Sequence, residues 1–171
     1  GWDTPLTYLT EEMEAGYTGV IGILRCGQGP VCALRFDIDA LGVLEDENPC
    51  HRPAREGFAS QCPGVMHACG HDGHTAMLLG LAKTVAARHG TLRHNVLLVF
   101  QPAEETTGGA KDLCQSGVLE AHKVQCVFGM HLGPELPAGV IASRKREMMS
   151  RSCEVSVTIT GRSSHIAKAE E

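Results

Sequence analysis

Apolar residues first gather in regular order after Gly19. The runs at residues 20–25 (VIGILR) and 31–38 (VCALRFDI) predict two strands. Gly27, Gln28, Gly29 and Pro30 between them predict the turn of a hairpin. In the second strand a period of two turns Phe36 and Ile38 toward a core. It leaves Asp37 and Asp39 on the other side or at the strand end. Residues 40–66 keep no period, and Pro49, Pro53, Pro63, Gly57 and Gly64 among mixed charges predict a long loop of the kind that carries function. From Thr75 onward, Met77, Leu78, Leu81 and Val85 fall on one helical stripe, with Gly90 as the stop. Residues 95–100 (NVLLVF) form a near-continuous apolar run, the pattern of a strand buried on both faces. Residues 108–119 predict a helix ending near Gly117, and residues 124–130 (VQCVFGM) a further strand.

This order of strand, helix, strand, helix and strand predicts a layered α/β domain. Its central sheet, largely parallel or mixed, is flanked by helices, and functional groups collect beyond the strand ends. After Pro134 the pattern changes. Residues 139–143 predict a short strand, and residues 153–160 (CEVSVTIT) alternate, with Cys153, Val155, Val157 and Ile159 on one face. A single strand cannot bury its own face or pair both its edges. The expected organisation is therefore a domain over residues 1–147 and the start of a second, sheet-containing module over 148–171, with the chain continuing in its parent protein.

Composition narrows the function classes. Hydrophobic residues make up 43% of the 171, enough for a sizeable core, while aromatics at 4% leave the packing to aliphatic side chains. Fifteen Lys and Arg against 20 Asp and Glu give a formal net charge of -5, which argues against a broad nucleic-acid surface; the basic run Arg144, Lys145, Arg146 is short. No apolar run approaches the length of about 18 residues that spans a bilayer, so no membrane segment is expected. The eight cysteines include no CxxC pair. They are expected as reduced thiols, and the cytoplasm as the compartment.

The densest chemistry lies at residues 67–74, where His67, Cys69, His71, Asp72 and His74 precede the helical stripe. Thiolate sulfur and imidazole nitrogen are good ligands for zinc, and manganese, iron or cobalt can enter a mixed site with carboxylates. Glu104 and Glu105 directly follow the most apolar strand, and His131 ends the next one. If these strand ends converge, one carboxylate can ligate while its neighbour takes a proton from water, which suits hydrolysis of an amide or peptide bond. Cys69 can also be read as a thiolate nucleophile. Neither GxGxxG after a strand nor GxxxxGK[ST] occurs, so the glycines do not indicate a nucleotide site.

Four ordered blocks carry a resemblance: RFDIDALG at 35–42, GVMHACGHDGHTAMLLG at 64–80, FQPAEETTGGA at 100–110 and FGMHLGPELPAG at 128–139. Together they resemble the M20 family of peptidases and amidohydrolases, in particular its N-acyl-amino-acid (hippurate) hydrolase branch. The block NPCHRPAREGFAS at 48–60 is similar to the p-aminobenzoyl-glutamate hydrolase A-subunit group of that branch. The resemblance covers the front part of a family member. It implies two divalent metal ions, zinc or manganese, held by Cys69, His71, Glu105 and His131, with Glu104 as general base. The family's last metal-binding His has no counterpart among these residues. Asp37 and Asp72 resemble acids that support the ligands.

The family's catalytic domain is interrupted by an α+β lid and dimerisation domain, whose first strand the residues from about 148 resemble. Ser163-Ser164-His165 stands where the family has Gly-Gly-His or Ala-Ala-His, which implies that His165 stabilises the polarised amide oxygen across a dimer. Gly42 replaces the family's usual Pro and removes no catalytic group. The resemblance further implies a small N-acyl amino acid as substrate, p-aminobenzoyl-glutamate or a general hippurate-like amide, and a homodimer or a related second subunit. The competing expectation is a truncated binding module that keeps the metal site.

Overall fold

The computed structural model describes residues 18–106, 108–149 and 155–161. Its organising element is the apolar run at the middle of the chain. Strand β3, Asn95–Gln101, is buried at every position but Phe100. A strand with no solvent-facing side is best placed inside a sheet, and β3 has a partner on each edge. Strand β1, Val20–Leu24, pairs with it antiparallel, and β2, Val31–Asp37, pairs with it parallel. Strand β4, Val124–Gly129, adds in parallel to the other side of β2, giving the order β1-β3-β2-β4.

The expected mixed sheet is therefore present, but the expected β1–β2 hairpin is not. The turn residues between β1 and β2 carry the chain across the start of β3 instead. Asn95 fixes this crossing. Its side-chain oxygen accepts from the Cys26 and Gly27 amides at 2.7 and 3.2 Å, and its amide donates to the Gly29 carbonyl at 2.8 Å.

Each face of the sheet has its own core. On one, Ile23, Val31, Ala33, Leu97 and Val99 pack with Leu113 and Val118. Those two come from short helices α3, Gly109–Gln115, and α4, Val118–Ala121. The predicted single helix over 108–119 is thus two, broken at Gly117, whose φ of 73° interrupts the helical backbone. On the other face Leu24, Phe36, Val96 and Leu98 pack with Leu78 and Val85 of helix α2, His71–Ala87. Full burial of such side chains contributes roughly 1.5–3 kcal/mol each.

Helix α2 starts four residues before the expected Thr75, immediately after Gly70 in a left-handed conformation (φ 87°). Its buried stripe runs His71, His74, Leu78 and Val85. The two histidines thus continue the apolar stripe into the interior, at the helix's first turn. The long loop at 40–66 contains helix α1, Arg52–Glu56. It closes on itself through an isolated bridge between Leu41 and Met66, with backbone hydrogen bonds of 2.9 and 3.0 Å. That bridge brings the segment after β2 alongside the one that leads to Cys69.

The chain divides into two compact units at Gly133/Pro134. In the second unit the described residues form turns and no strand, in contrast to the strands expected at 139–143 and 153–160. Val155, Val157 and Ile159 are 76%, 77% and 90% exposed, with no strand alongside them to form a ladder among the described residues. Cys153 and Glu154 lie outside the described residues. No helix among the described residues is long and apolar enough to cross a membrane.

Candidate metal centre

Three parallel strands release their chains at the same end of the sheet. Asp37 ends β2 and Asp39 follows it, Glu104 and Glu105 follow β3, and His131 follows β4. Helix α2 points its first turn, with His71 and His74, at this end. The side chains meet. Ligating atoms of Cys69, His71 and His131 lie within 4.8 Å of one another, and so do those of His71, Glu104 and Glu105. His71 is common to both groups.

His71 is fully buried. Its Nδ1 is 3.0 Å from the Asp39 carbonyl oxygen and 3.2 Å from Asp39 Oδ1. Both are acceptors, so the proton sits on Nδ1 and the lone pair on Nε2. Asp39 Oδ2 accepts from the Glu105 amide at 2.9 Å, so one carboxylate orients both side chains. Nε2 of His71 and Oε1 of Glu105 are buried, have no hydrogen-bond partner, and face each other at 3.7 Å. A buried polar atom left unpaired costs about 1–3 kcal/mol, and two lone pairs aimed at one point repel. A zinc-sized cation, with bonds of about 2.0–2.2 Å to nitrogen or carboxylate oxygen, fits between them.

The remaining residues agree with that fit. Cys69 Sγ is 3.5 Å from His131 Nε2. His131 Nδ1 donates to the Leu132 carbonyl at 2.8 Å, which leaves its Nε2 lone pair toward the thiol. Burial pushes the Cys69 thiol up to about 11, with Glu105, Glu104 and Asp37 adding to it. A thiol so placed is a poor nucleophile by itself, and a coordinated cation would favour its thiolate form. The two adjacent glutamates differ in setting: Glu104 is exposed, Glu105 half-buried.

Asp37 is buried, and burial opposes its ionisation. A hydrogen bond from His74 and the charge of Arg35 outweigh that and hold its carboxyl below the usual range. Arg35 Nη1 donates to Asp37 Oδ2 at 2.9 Å and Arg35 Nε to Gln101 Oε1 at 2.7 Å.

Two residues take supporting roles that the sequence did not assign to them. Asp39 does for His71 what was expected of Asp72, which instead lies exposed in the first turn of α2. The signal was present in the Asp-x-Asp spacing after β2. His74 Nδ1 donates to Asp37, and its Nε2 accepts from the Leu132 amide at 2.9 Å, so both ring nitrogens are occupied. His67 is exposed, and His165 lies outside the described residues.

Comparison with known proteins agrees with the fold. The family model for peptidase family M20/M25/M40 matches residues 33–170. The A subunit of p-aminobenzoyl-glutamate hydrolase from Escherichia coli (strain K12) is 42% identical over 160 residues, covering 92% of this chain and 36% of that protein. Indole-3-acetyl-aspartic acid hydrolase of Enterobacter agglomerans is 42% identical over 153 residues, covering 89% of this chain and 34% of that one. The chain thus spans about a third of the length of these curated relatives. The crystal structure of the Bacillus subtilis YXEP protein, described as a dinuclear metal-binding peptidase, superposes with a TM-score of 0.63 at 44% identity over 72% of this chain and 32% of that one. Sheet, clustered ligand-type residues and family match agree, and the chain belongs to peptidase family M20/M25/M40.

Proposed function

We propose that this chain carries the catalytic half-site of a metal-dependent amidohydrolase acting on N-acyl amino acids. Cys69, His71, Glu105 and His131 would hold two divalent cations, zinc or manganese. When bound, the cations supply an acidified water and polarise the amide carbonyl. The observation that carries this reading is the pair of orphaned buried atoms, His71 Nε2 and Glu105 Oε1, facing each other at 3.7 Å.

The protein's own groups then divide the work. Asp39 keeps the proton of His71 on Nδ1 and holds the Glu105 backbone, so both ligating atoms point the same way. Glu104 stands next in the chain and exposed, free to take a proton at a carboxylate oxygen and return it to the leaving amine. His165 is assigned to the amide oxygen, and the residues from 148 onward to a lid and dimerisation domain. The partner would be a second copy or a related, non-identical chain. The E. coli relative is named as one lettered component of its hydrolase, which supports the latter.

p-Aminobenzoyl-glutamate is the first substrate to test, and an N-acyl aspartate the second, since the Enterobacter relative is named for one. The experiment measures bound metal and hydrolysis of both amides, in the full-length chain that carries these residues, with and without Glu104→Gln. Removing a general base costs about 10²–10⁴-fold in turnover. The expected result is that loss with the metal content kept. No divalent cation bound after reconstitution refutes the centre. Metal bound with Glu104→Gln as active as wild type refutes the role of Glu104, and metal bound without hydrolysis favours a binding module.

A further inference from the structure

His74 belongs to the same histidine cluster as His71 and lies within ligating distance of it and Asp37, yet its contacts set it apart. Its ring is fully buried, stacked 5.2 Å from the His71 ring and edge-on 4.6 Å from the His131 ring. Nδ1 donates to Asp37 and Nε2 accepts from the Leu132 amide. No lone pair remains for a cation.

The Leu132 backbone is the other half of the device. Its N–H is held by His74 at 2.9 Å and its carbonyl holds His131 Nδ1 at 2.8 Å. Its side chain packs against the glycines at the helix start. A Cβ on Gly73 would stand 2.6 Å from Leu132 Cδ1, and one on Gly70 3.4 Å from the same atom. A continuous set of hydrogen bonds therefore runs from Gln101 through Arg35, Asp37 and His74 to Leu132 and His131. It links the end of β3 to the end of β4, across β2. His131 is itself exposed and follows the edge strand, so it needs such an anchor.

We infer that His74 is a positioning residue that binds no metal: through the backbone of Leu132 it fixes the tautomer and direction of His131, so that Nε2 of His131 faces Cys69. This rests on the proposed metal centre. Partners of this kind behind a metal ligand are worth about 10–100-fold in metal affinity.

The test is a double-mutant cycle on metal affinity, read by competition with a chromophoric chelator, using His74→Phe and His131→Ala separately and together. Action through His131 predicts a loss of about 10–100-fold for His74→Phe in the wild-type background and little further loss in the His131→Ala background. Equal losses in both backgrounds, or none in either, overturn the inference. Wild-type protein that binds no cation refutes the metal centre instead, so the two failures are distinct. A measurement that needs no variant is ¹⁵N NMR of the histidine rings during titration with cadmium. Direct ¹¹³Cd–¹⁵N coupling is expected at Nε2 of His71 and His131 and absent at both nitrogens of His74. Coupling at His74 overturns the inference even if His74→Phe fails to fold.

Discussion

Replacing Asp39 with Asn separates the orienting carboxylate from its shape. Asp39 offers two acceptor oxygens, Oδ1 to His71 Nδ1 at 3.2 Å and Oδ2 to the Glu105 amide at 2.9 Å. Asparagine keeps one acceptor and turns the other into a donor. If its oxygen stays with the Glu105 amide, its NH₂ faces the His71 Nδ1–H. The imidazole can relieve that by moving its proton to Nε2, the atom that must stay bare to ligate. If the side chain flips, the Glu105 amide loses its partner instead. Either way one hydrogen bond to a charged group goes, worth about 1.5–3 kcal/mol. The general cost of losing a partner behind a ligand, about 10–100-fold in metal affinity, is about 1.4–2.7 kcal/mol by conversion. The two routes agree. The Asp39 carbonyl still holds Nδ1 at 3.0 Å, which keeps the loss from being larger. Competition for zinc against a chromophoric chelator reads the affinity, and urea unfolding of the metal-free protein reads the fold. The expected outcome for Asp39→Asn is a loss of affinity in that range with a smaller change in metal-free stability. Affinity within about twofold of wild type would refute the orienting role, as would a loss of metal-free stability large enough to account for the whole effect.

Two further outcomes follow from the geometry. Gly109→Ala places a Cβ 2.0 Å from the Pro102 carbonyl oxygen, a backbone atom, while Gly80→Ala meets nothing within 4 Å on helix α2. Urea unfolding should show the first destabilised by at least about 1–3 kcal/mol and the second stabilised by up to about 1 kcal/mol; the reverse order would show the loop after β3 to be free to move. Asp37, its carboxyl held low, makes the unfolded state the better proton binder in acid, so its stabilisation is complete above the ordinary carboxylate range near pH 4 (roughly) and is lost as pH falls through the lower folded value. Metal-free stability measured from pH 6 downward should fall less steeply in Asp37→Asn than in wild type, and identical slopes would refute the assignment.

The four strands of the sheet were legible because their apolar runs decide the matter locally. The run at 95–100 announced a strand without a wet face, and β3 is that strand. What it did not announce was which neighbours would take its two edges. Gly27 to Pro30 is good hairpin chemistry, and only the side chain of Asn95, 65 residues and more along the chain, reveals that the turn is used as a crossover. The start of α2 was missed for a related reason. His71 and His74 look like loop chemistry in sequence, yet they occupy the same helical stripe as Leu78 and Val85, and burial there depends on partners from three other segments. Asp37 was expected on the far side of the strand or at its end; it is the last residue of β2, but since the sheet is covered on both faces it ends up 2% exposed between Arg35 and His74.

The roles of the three clustered histidines are the hardest thing to see from residue types, because all three make the same first commitment. Each places its proton on Nδ1 against an acceptor: Asp39 for His71, Asp37 for His74, the Leu132 carbonyl for His131. The difference lies in what the second nitrogen meets. For His74 it is a backbone N–H, which closes the ring's hydrogen bonding and makes the residue part of the scaffold. For His71 it is the bare Oε1 of Glu105, itself a lone-pair donor, and for His131 the Cys69 thiol, whose proton a cation would replace. Lone pairs brought together in a protein interior are unfavourable until something positive stands among them. The two hydrophobic cores lie on the faces of the sheet, built from residues outside this cluster, so the fold can hold the arrangement in readiness. On the proposed reading a cation would be favoured at that end of the sheet by the groups crowded there, and a single backbone N–H would separate the histidine that binds from the one that aims.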